Sequence, residues 1–342
     1  MKSFFKYILK HYLRIVTRIV VFIHRPTVIA VAGSTNKNFV KKEIKRRLEE
    51  MEFSVRANPK NFNTEIGLPL SILSLPSGYN EYKKWMPAIL LAPLKIFQRN
   101  FPQFLVLSLG TSDEGDMKYL LSVVKPDISV ITEITQKYKE GYSDIDRLVE
   151  EYQLLAKKTK KGGTVVLNID NYRVREIGKK RKQKVIYYGF KEKADVQIID
   201  LQKNEKGQEV KIRYNKKEST HQIHRFGKHH AYAFAVGFAF TKFLNRLPRS
   251  SYLRKRLKLG APGEKRQVPP FFVFFFARST ASSSVLVIIT SIFLVIFFTS
   301  FSIISPLSGR RMRVSMSDSA IDLARSFHSS PRSYPPAMRV FA

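Results

Sequence analysis

The six residues Gly33-Ser34-Thr35-Asn36-Lys37-Asn38 have the strongest claim to chemistry in this chain. A strand that delivers a glycine-containing loop into the start of a helix builds an anion cradle. Unpaired amides and the positive end of the helix dipole converge there, and a lysine adds a full charge. Against the phosphate-loop pattern G-x-x-x-x-G-K-[ST], Lys37 alone fits. Val31 and Asn36 stand where glycines belong, and Asn38 stands where a hydroxyl would meet a metal ion. Asn is the least penalised replacement for a left-handed glycine, so Asn36 can still make the turn. By themselves these residues support either a phosphate cradle or a plain strand-loop-helix corner with an exposed lysine.

Other side chains invite weaker readings. His221, His224, His229 and His230 lie close together in HQIHRFGKHH, but no carboxylate accompanies them at a ligand spacing, which disfavours zinc. The chain has no cysteine, which excludes disulfides, thiolate metal sites and a cysteine nucleophile. Asp113, Glu114 and Asp116 cluster after an apolar run and are the nearest acids to it.

The elements that must position the loop are legible on both sides of it. Thr27 to Ala32 is a short, β-branched apolar run, as expected of a strand buried on both faces of a parallel sheet. After the loop, Val40, Ile44 and Leu48 recur every four residues, with Glu43 and Arg47 paired beside them, which predicts an amphipathic helix. Further strands are expected at Phe53 to Arg56, Phe104 to Leu109, Ile128 to Thr132, Gly162 to Asp170, Val185 to Gly189, Ala194 to Leu201 and Glu209 to Tyr214. The last two read as an antiparallel pair around the turn Lys203 to Gly207. A helix is expected around Pro87 and Pro93, packing in the core or, as the alternative, extending a membrane-facing surface, and another is expected from Ile145 to Lys160.

Sixty Lys+Arg against 27 Asp+Glu give 342 residues a formal charge of +33. Such a balance suggests nucleic acid, an anionic membrane surface or phosphorylated substrates as neighbours. No nucleic-acid reader motif is present, and the lysines scatter along helix faces and loops, so nucleic acid ranks last. Residues 1–25 repeat a basic residue every four positions through Arg18, with aromatic and aliphatic residues between, and read as an interfacial helix. Packing against a core is the alternative. No cleavage pattern of small residues follows, which argues for the cytoplasmic side, while this stretch and a later apolar run argue for association with the membrane. Val285 to Ile304 is uncharged for 20 residues, with Arg278 before it and Arg310, Arg311 and Arg313 after it, long enough for a transmembrane helix. An out-of-frame stretch is the other reading of that region.

GSTNK is followed by NFNTEIGLPL (Asn61 to Leu70), LVLSLGTSDEGDMKYL (Leu105 to Leu120), VKPDISVIT (Val124 to Thr132) and GGTVVLNIDN (Gly162 to Asn171). In order and spacing these blocks resemble the Mur ligase family, closest to the branch that adds D-alanyl-D-alanine to UDP-N-acetylmuramoyl-tripeptide. The resemblance implies an α/β fold: a P-loop-like, mostly parallel sheet flanked by helices, with an appended antiparallel portion. It implies ATP and Mg2+ as cofactors, a muramoyl-peptide precursor as partner, and amide formation through an acyl phosphate. It divides the chain into the basic helix 1–25, a central ATP-binding domain 26–246, an anomalous basic and apolar stretch 247–308, and a remnant of the C-terminal ligand domain at 309–342.

Residue by residue, the resemblance puts Gly33, Ser34, Thr35, Asn36, Lys37, Asn38, Asn168, Asp170 and His229 at the nucleotide. It puts Asn61, Asn63 and Glu65 in a loop near the nucleotide and acceptor. Two positions depart from the family. Ser108 stands where a glutamate holds magnesium, and Tyr152 where a lysine, often carbamylated, completes the metal site. Asp113, Glu114 and Asp116 are the candidates to compensate. The expected activity is therefore either ATP-dependent ligation or, as the alternative, a catalytically inactive, membrane-associated scaffold that binds nucleotide or cell-wall precursors.

Overall fold

A computed structural model describes residues 2–245, apart from 60–61, 79–81, 136–140, 143 and 180–181. The apolar run at 285–304, the segments 247–308 and 309–342, and Asn61 therefore lie outside the described residues.

The apolar runs become the centre of a nine-stranded sheet. In chain order its strands are β1 (Thr27–Ala32), β2 (Val55–Ala57), β3 (Phe104–Ser108), β4 (Ile128–Ile131), β5 (Thr164–Asn168), β6 (Lys184–Gly189), β7 (Val196–Asn204), β8 (Gly207–Tyr214) and β9 (Lys217–Ile223). Their spatial order is β2-β3-β1-β4-β5-β6-β7-β8-β9. The pairs from β2 to β7 are parallel, and β7-β8 and β8-β9 are antiparallel. Every residue of β1, β3, β4 and β5 is buried, as required when helices cover both faces of a parallel sheet. β9 was not anticipated. Its sequence KESTHQI is polar at nearly every position, because it forms an edge of the sheet, where charge also discourages pairing with another chain.

The helices are α1 (Lys2–His24), α2 (Lys37–Glu50), α3 (Gly67–Leu73), α4 (Tyr82–Leu91), α5 (Asp116–Val123), α6 (Ile145–Lys158), α7 (Tyr172–Lys179) and α8 (Lys228–Asn245), with a 3-10 turn at Pro93–Phe97. On α2, Val40, Ile44 and Leu48 are fully buried, and Glu43 and Arg47 form the expected pair at 2.9 Å. α2 packs against α8, where Gly237 lets the backbones approach: a Cβ there would press on the Cγ atoms of Glu43 and Arg47. Trp85 is buried, in keeping with a packing role for α4.

α1 corrects the expectation of a helix that simply lies in a membrane interface. Leu9, Leu13, Val16 and Val20 form a buried stripe against α3, α5 and the 3-10 turn. The 3.6-residue period gives α1 two functions at once, since an inward stripe at positions 9, 13, 16 and 20 leaves the opposite face free. Among the described residues no helix is long and apolar enough to cross a membrane.

Candidate functional site

The loop after β1 lies at the point where the sheet changes direction. From β1 the chain moves outward to β2 on one side, and from β4 it moves to β5 on the other, so a crevice opens between the ends of β1 and β4. Gly33 begins the loop at φ 135, and a Cβ there would collide with Thr132 Oγ1 and the Glu133 backbone. The loop is stapled to the residues after β4. Ser34 N donates to Glu133 O at 2.6 Å, Thr132 Oγ1 donates to Thr35 O at 2.6 Å, and Thr135 N donates to Ser34 Oγ at 3.1 Å.

Asn36 takes the left-handed conformation, φ 63, and starts α2. Its carbonyl accepts from Phe39 N and Val40 N, both at 3.1 Å, while the amides of Lys37 and Asn38 precede the helical ladder. Lys37 folds back over the loop, its Nζ donating to Gly33 O at 2.5 Å. Burial lowers its pKa to about 8. An ammonium held over a turn of backbone at a helix N-terminus has the chemistry to receive a phosphate-like anion.

Two more side chains stand on the rim: Glu133, which was not anticipated, and Tyr152, whose position was expected at the metal site. Thr35 Oγ1 donates to Glu133 Oε2 at 2.5 Å, which brings a carboxylate to the edge of the cradle. Only the β1-β4 adjacency puts it there, and sequence order does not reveal that adjacency. Tyr152 comes from α6; its hydroxyl accepts from Thr111 Oγ1 at 3.4 Å and reaches Ser34 and Gly33. Burial, as the largest influence, holds this phenol above its ordinary range.

The position singled out as a metal site holds a different chemistry. Ser108, at the end of β3, is joined to Asn58 by three hydrogen bonds: Ser108 N to Asn58 Oδ1 at 2.8 Å, Ser108 Oγ to the same oxygen at 3.2 Å, and Asn58 Nδ2 to Ser108 O at 3.0 Å. Lys41 Nζ completes the group, donating to Asn58 O at 2.5 Å and to Ser108 Oγ at 3.3 Å. Lys41 is only 4% exposed, and burial, then the charge of Lys42, lowers its pKa to about 8. Lys41 is thus an exception among lysines that otherwise scatter along helix faces and loops. The signal was available: Lys37, Lys41, Ile44 and Leu48 fall on one helical stripe.

A protein-held divalent cation does not fit these residues. A hard cation needs anionic oxygen, and here a hydroxyl, an amide and a competing ammonium share the spot. Among the described residues no three His, Cys, Asp or Glu side chains gather where they could hold a metal ion. Asp116 turns its Oδ2 to the amides of Ser112 and Asp113 at 2.8 and 3.0 Å, and Glu151 takes those of Gly115 and Met117 at 2.9 and 2.7 Å. These carboxylates cap the start of α5.

The remaining candidates divide by position. Asn63 stays beside the sheet end, its carbonyl accepting from Gly110 N at 3.0 Å. Glu65 forms an ion pair with Lys10 of α1 at 3.0 Å. Asn168 is buried, and its Oδ1 accepts from Asp170 N at 3.0 Å. Asp170 accepts from Phe190 N, Lys191 N and Tyr232 OH at 2.7, 3.1 and 2.9 Å. His229 lies near the loop's helix, with Phe39 at 4.6 Å and His230 at 4.3 Å between ring centroids. His221 and His224 do not join them: His221 meets Ser219 Oγ at 2.9 Å and His224 meets Lys206 O at 3.1 Å.

Residues 87–241 match the Mur ligase middle domain. Among curated proteins, the chain is 33% identical over 93 residues to the UDP-N-acetylmuramate–L-alanine ligase of Coxiella burnetii, covering 27% of this chain and 20% of that one. It is 24% identical over 190 residues to the UDP-N-acetylmuramoyl-tripeptide–D-alanyl-D-alanine ligase of Rickettsia prowazekii, covering 54% of this chain and 36% of that one. Among solved structures, MurF ligase from Thermotoga maritima in complex with ADP superposes with TM-score 0.57 at 20% identity, over 70% of this chain and 50% of that one. MurF from Acinetobacter baumannii gives TM-score 0.56 at 16% identity, over 75% of this chain and 52% of that one. The chain thus spans between a fifth and about half of the length of these relatives.

Proposed function

We propose that this chain, which carries a Mur ligase middle domain over residues 87–241, holds the phosphates of ATP or ADP in the loop Gly33–Asn38 and serves ATP-dependent ligation in peptidoglycan precursor synthesis. The observation that carries the reading is Lys37, whose ammonium lies against Gly33 O at the start of α2, in the crevice between β1 and β4. The ADP complex of the similar Thermotoga fold supports the choice of ligand. Of the ligation chemistries, addition of D-alanyl-D-alanine to a muramoyl-tripeptide is favoured by the MurF fold and by the longer stretch shared with the Rickettsia ligase. The reading puts the protein on the cytoplasmic side, at the membrane, where such precursors are handled.

In that chemistry a carboxylate of the muramoyl peptide takes the γ-phosphoryl group, and an incoming amine displaces phosphate to leave an amide. Phosphoryl transfer asks a protein mainly for positioning and charge neutralisation. Lys37 and the amides of α2 would face the phosphates, while Tyr152, as a neutral phenol, supplies a hydrogen bond from the rim. Asn63, with Asn61 and Glu65, belongs to the segment assigned to the acceptor side. Asn168, Asp170 and His229 belong to the nucleotide side, Asp170 by fixing the loop at 190–191 and His229 by its ring beside Phe39.

A second reading, nucleotide binding without ligation, is favoured by the Lys41-Asn58-Ser108 cluster, which leaves no place for a magnesium ion at the end of β3. Calorimetry of ATP and ADP with the full chain and with Lys37→Ala tests the binding claim: loss of affinity on substitution is expected, and equal binding would refute it. ADP release that requires both a muramoyl-tripeptide and D-alanyl-D-alanine then decides between the two readings.

A further inference from the structure

Most of the large apolar side chains exposed among the described residues gather on three neighbouring elements. Tyr7, Ile15 and Phe22 on α1 are 62, 54 and 62% exposed, Leu90 on α4 is 46%, and Leu94 and Phe97 of the 3-10 turn are 46 and 53%. The elements are tied together: Tyr12 OH donates to Ile89 O at 2.7 Å, and His24 Nε2 lies 3.3 Å from Lys95 O. The exposed residues of α1 are not the remains of its core face, because Leu9, Leu13, Val16 and Val20 already fill that face. They form a separate outward stripe with Arg18, at positions 7, 15, 18 and 22.

The charge of this surface has one sign. No Asp or Glu occurs from Met1 to Lys42, nor from Tyr82 to Ser112. Arg18 is exposed on it, Lys6, Arg25 and Arg99 are exposed beside it, and the Arg25 guanidinium lies 5.7 Å over the Phe22 ring. Contiguous exposed apolar side chains need an explanation in a folded domain. A second copy would bring the same positive charge and be repelled. A nucleic acid would match the charge but has no use for exposed Ile15, Leu90 and Leu94, since it recruits aromatics for stacking. An anionic bilayer surface satisfies both halves, taking apolar side chains into the headgroup boundary and arginines onto its phosphates.

We propose that the joint outer face of α1, α4 and the Pro93–Phe97 turn docks on an anionic lipid surface. The docking is independent of the nucleotide loop. The test is co-sedimentation of the full chain with vesicles of phosphatidylcholine alone or mixed equally with phosphatidylglycerol, across a range of salt. Two variants accompany it: Arg18→Gln with Arg25→Gln, and Ile15→Ser with Phe22→Ser and Phe97→Ser, which leaves the charge unchanged. Circular dichroism and melting confirm that each is folded.

The expected result is salt-sensitive binding to the mixed vesicles only, weakened roughly fivefold per arginine removed and weakened again by the serine variant. Equal binding to both vesicle types, or binding that survives both variants, would overturn the proposal and move lipid contact to another part of the chain, such as the apolar run 285–304. Loss on arginine removal alone, with RNA competing as well as lipid, would overturn it in favour of a general polyanion surface. Failure to bind vesicles, with self-association abolished by the serine variant, would instead identify a second copy as the occupant.

Discussion

At the scale of single residues, the cradle depends on Lys37 holding its charge. Burial lowers the pKa of Lys37 from 10.5 to about 8, so the free protein loses this proton as pH rises through about 8, whereas a bound phosphate would retain it. Binding therefore takes up a proton above that pH, and phosphate or ADP affinity is expected to fall as pH rises from about 8 toward 10. Calorimetry in buffers of different ionisation enthalpy would register the uptake, and a flat affinity profile over that range would count against Lys37 as the anion's partner. Lys41 shows the other use of the same side chain. Its ammonium satisfies the Asn58 carbonyl and the Ser108 hydroxyl in the interior, where an unpaired charge would be costly. A serine in place of a glutamate looks like simple loss in the sequence, while the structure shows a cation already in the space.

At the scale of elements, α1 decides how the N-terminal segment is understood. A basic repeat with apolar residues between is compatible with an interfacial helix or a packed one, because both need an amphipathic pattern. Leu13, fully buried against the body of the domain, distinguishes them. Leu13→Ala is expected to destabilise the fold by about 2–5 kcal/mol, measured as a lower urea midpoint with unchanged slope. A helix that merely rested on a membrane would show no such loss in solution. The packing of α1 also draws Glu65 into its ion pair with Lys10, so a residue of the segment assigned to the acceptor side also anchors an element. The corner between β1 and α2 was the most legible element of all: Gly33 needs φ 135 and Asn36 needs φ 63, and these are residue types that tolerate such backbone.

At the scale of the whole molecule, the cradle sits in the middle of one continuous sheet, between β1 and β4, with α2 packed on α8. The proposed binding there would stabilise the native state by mass action. ADP at a hundredfold excess over its Kd should therefore add about 2.7 kcal/mol to stability, seen as a raised melting temperature that is absent in Lys37→Ala. Equal shifts in both proteins would move the nucleotide to another site. The sequence by itself determined the parallel α/β class, the position of the loop and the buried stripe of α2. Those follow from local patterns, continuous apolar strands and the four-residue spacing of Val40, Ile44 and Leu48, which burial on a sheet requires wherever it occurs. Tertiary structure alone decided which partners meet at the crevice. Glu133 reaches Thr35, Tyr152 reaches the loop and Lys41 reaches Ser108 across separations of 98 residues, from another helix and of 67 residues. Strand order and helix packing set those contacts, and no local periodicity encodes them. β9 was hidden for the same reason: an edge exists only once its neighbours are in place.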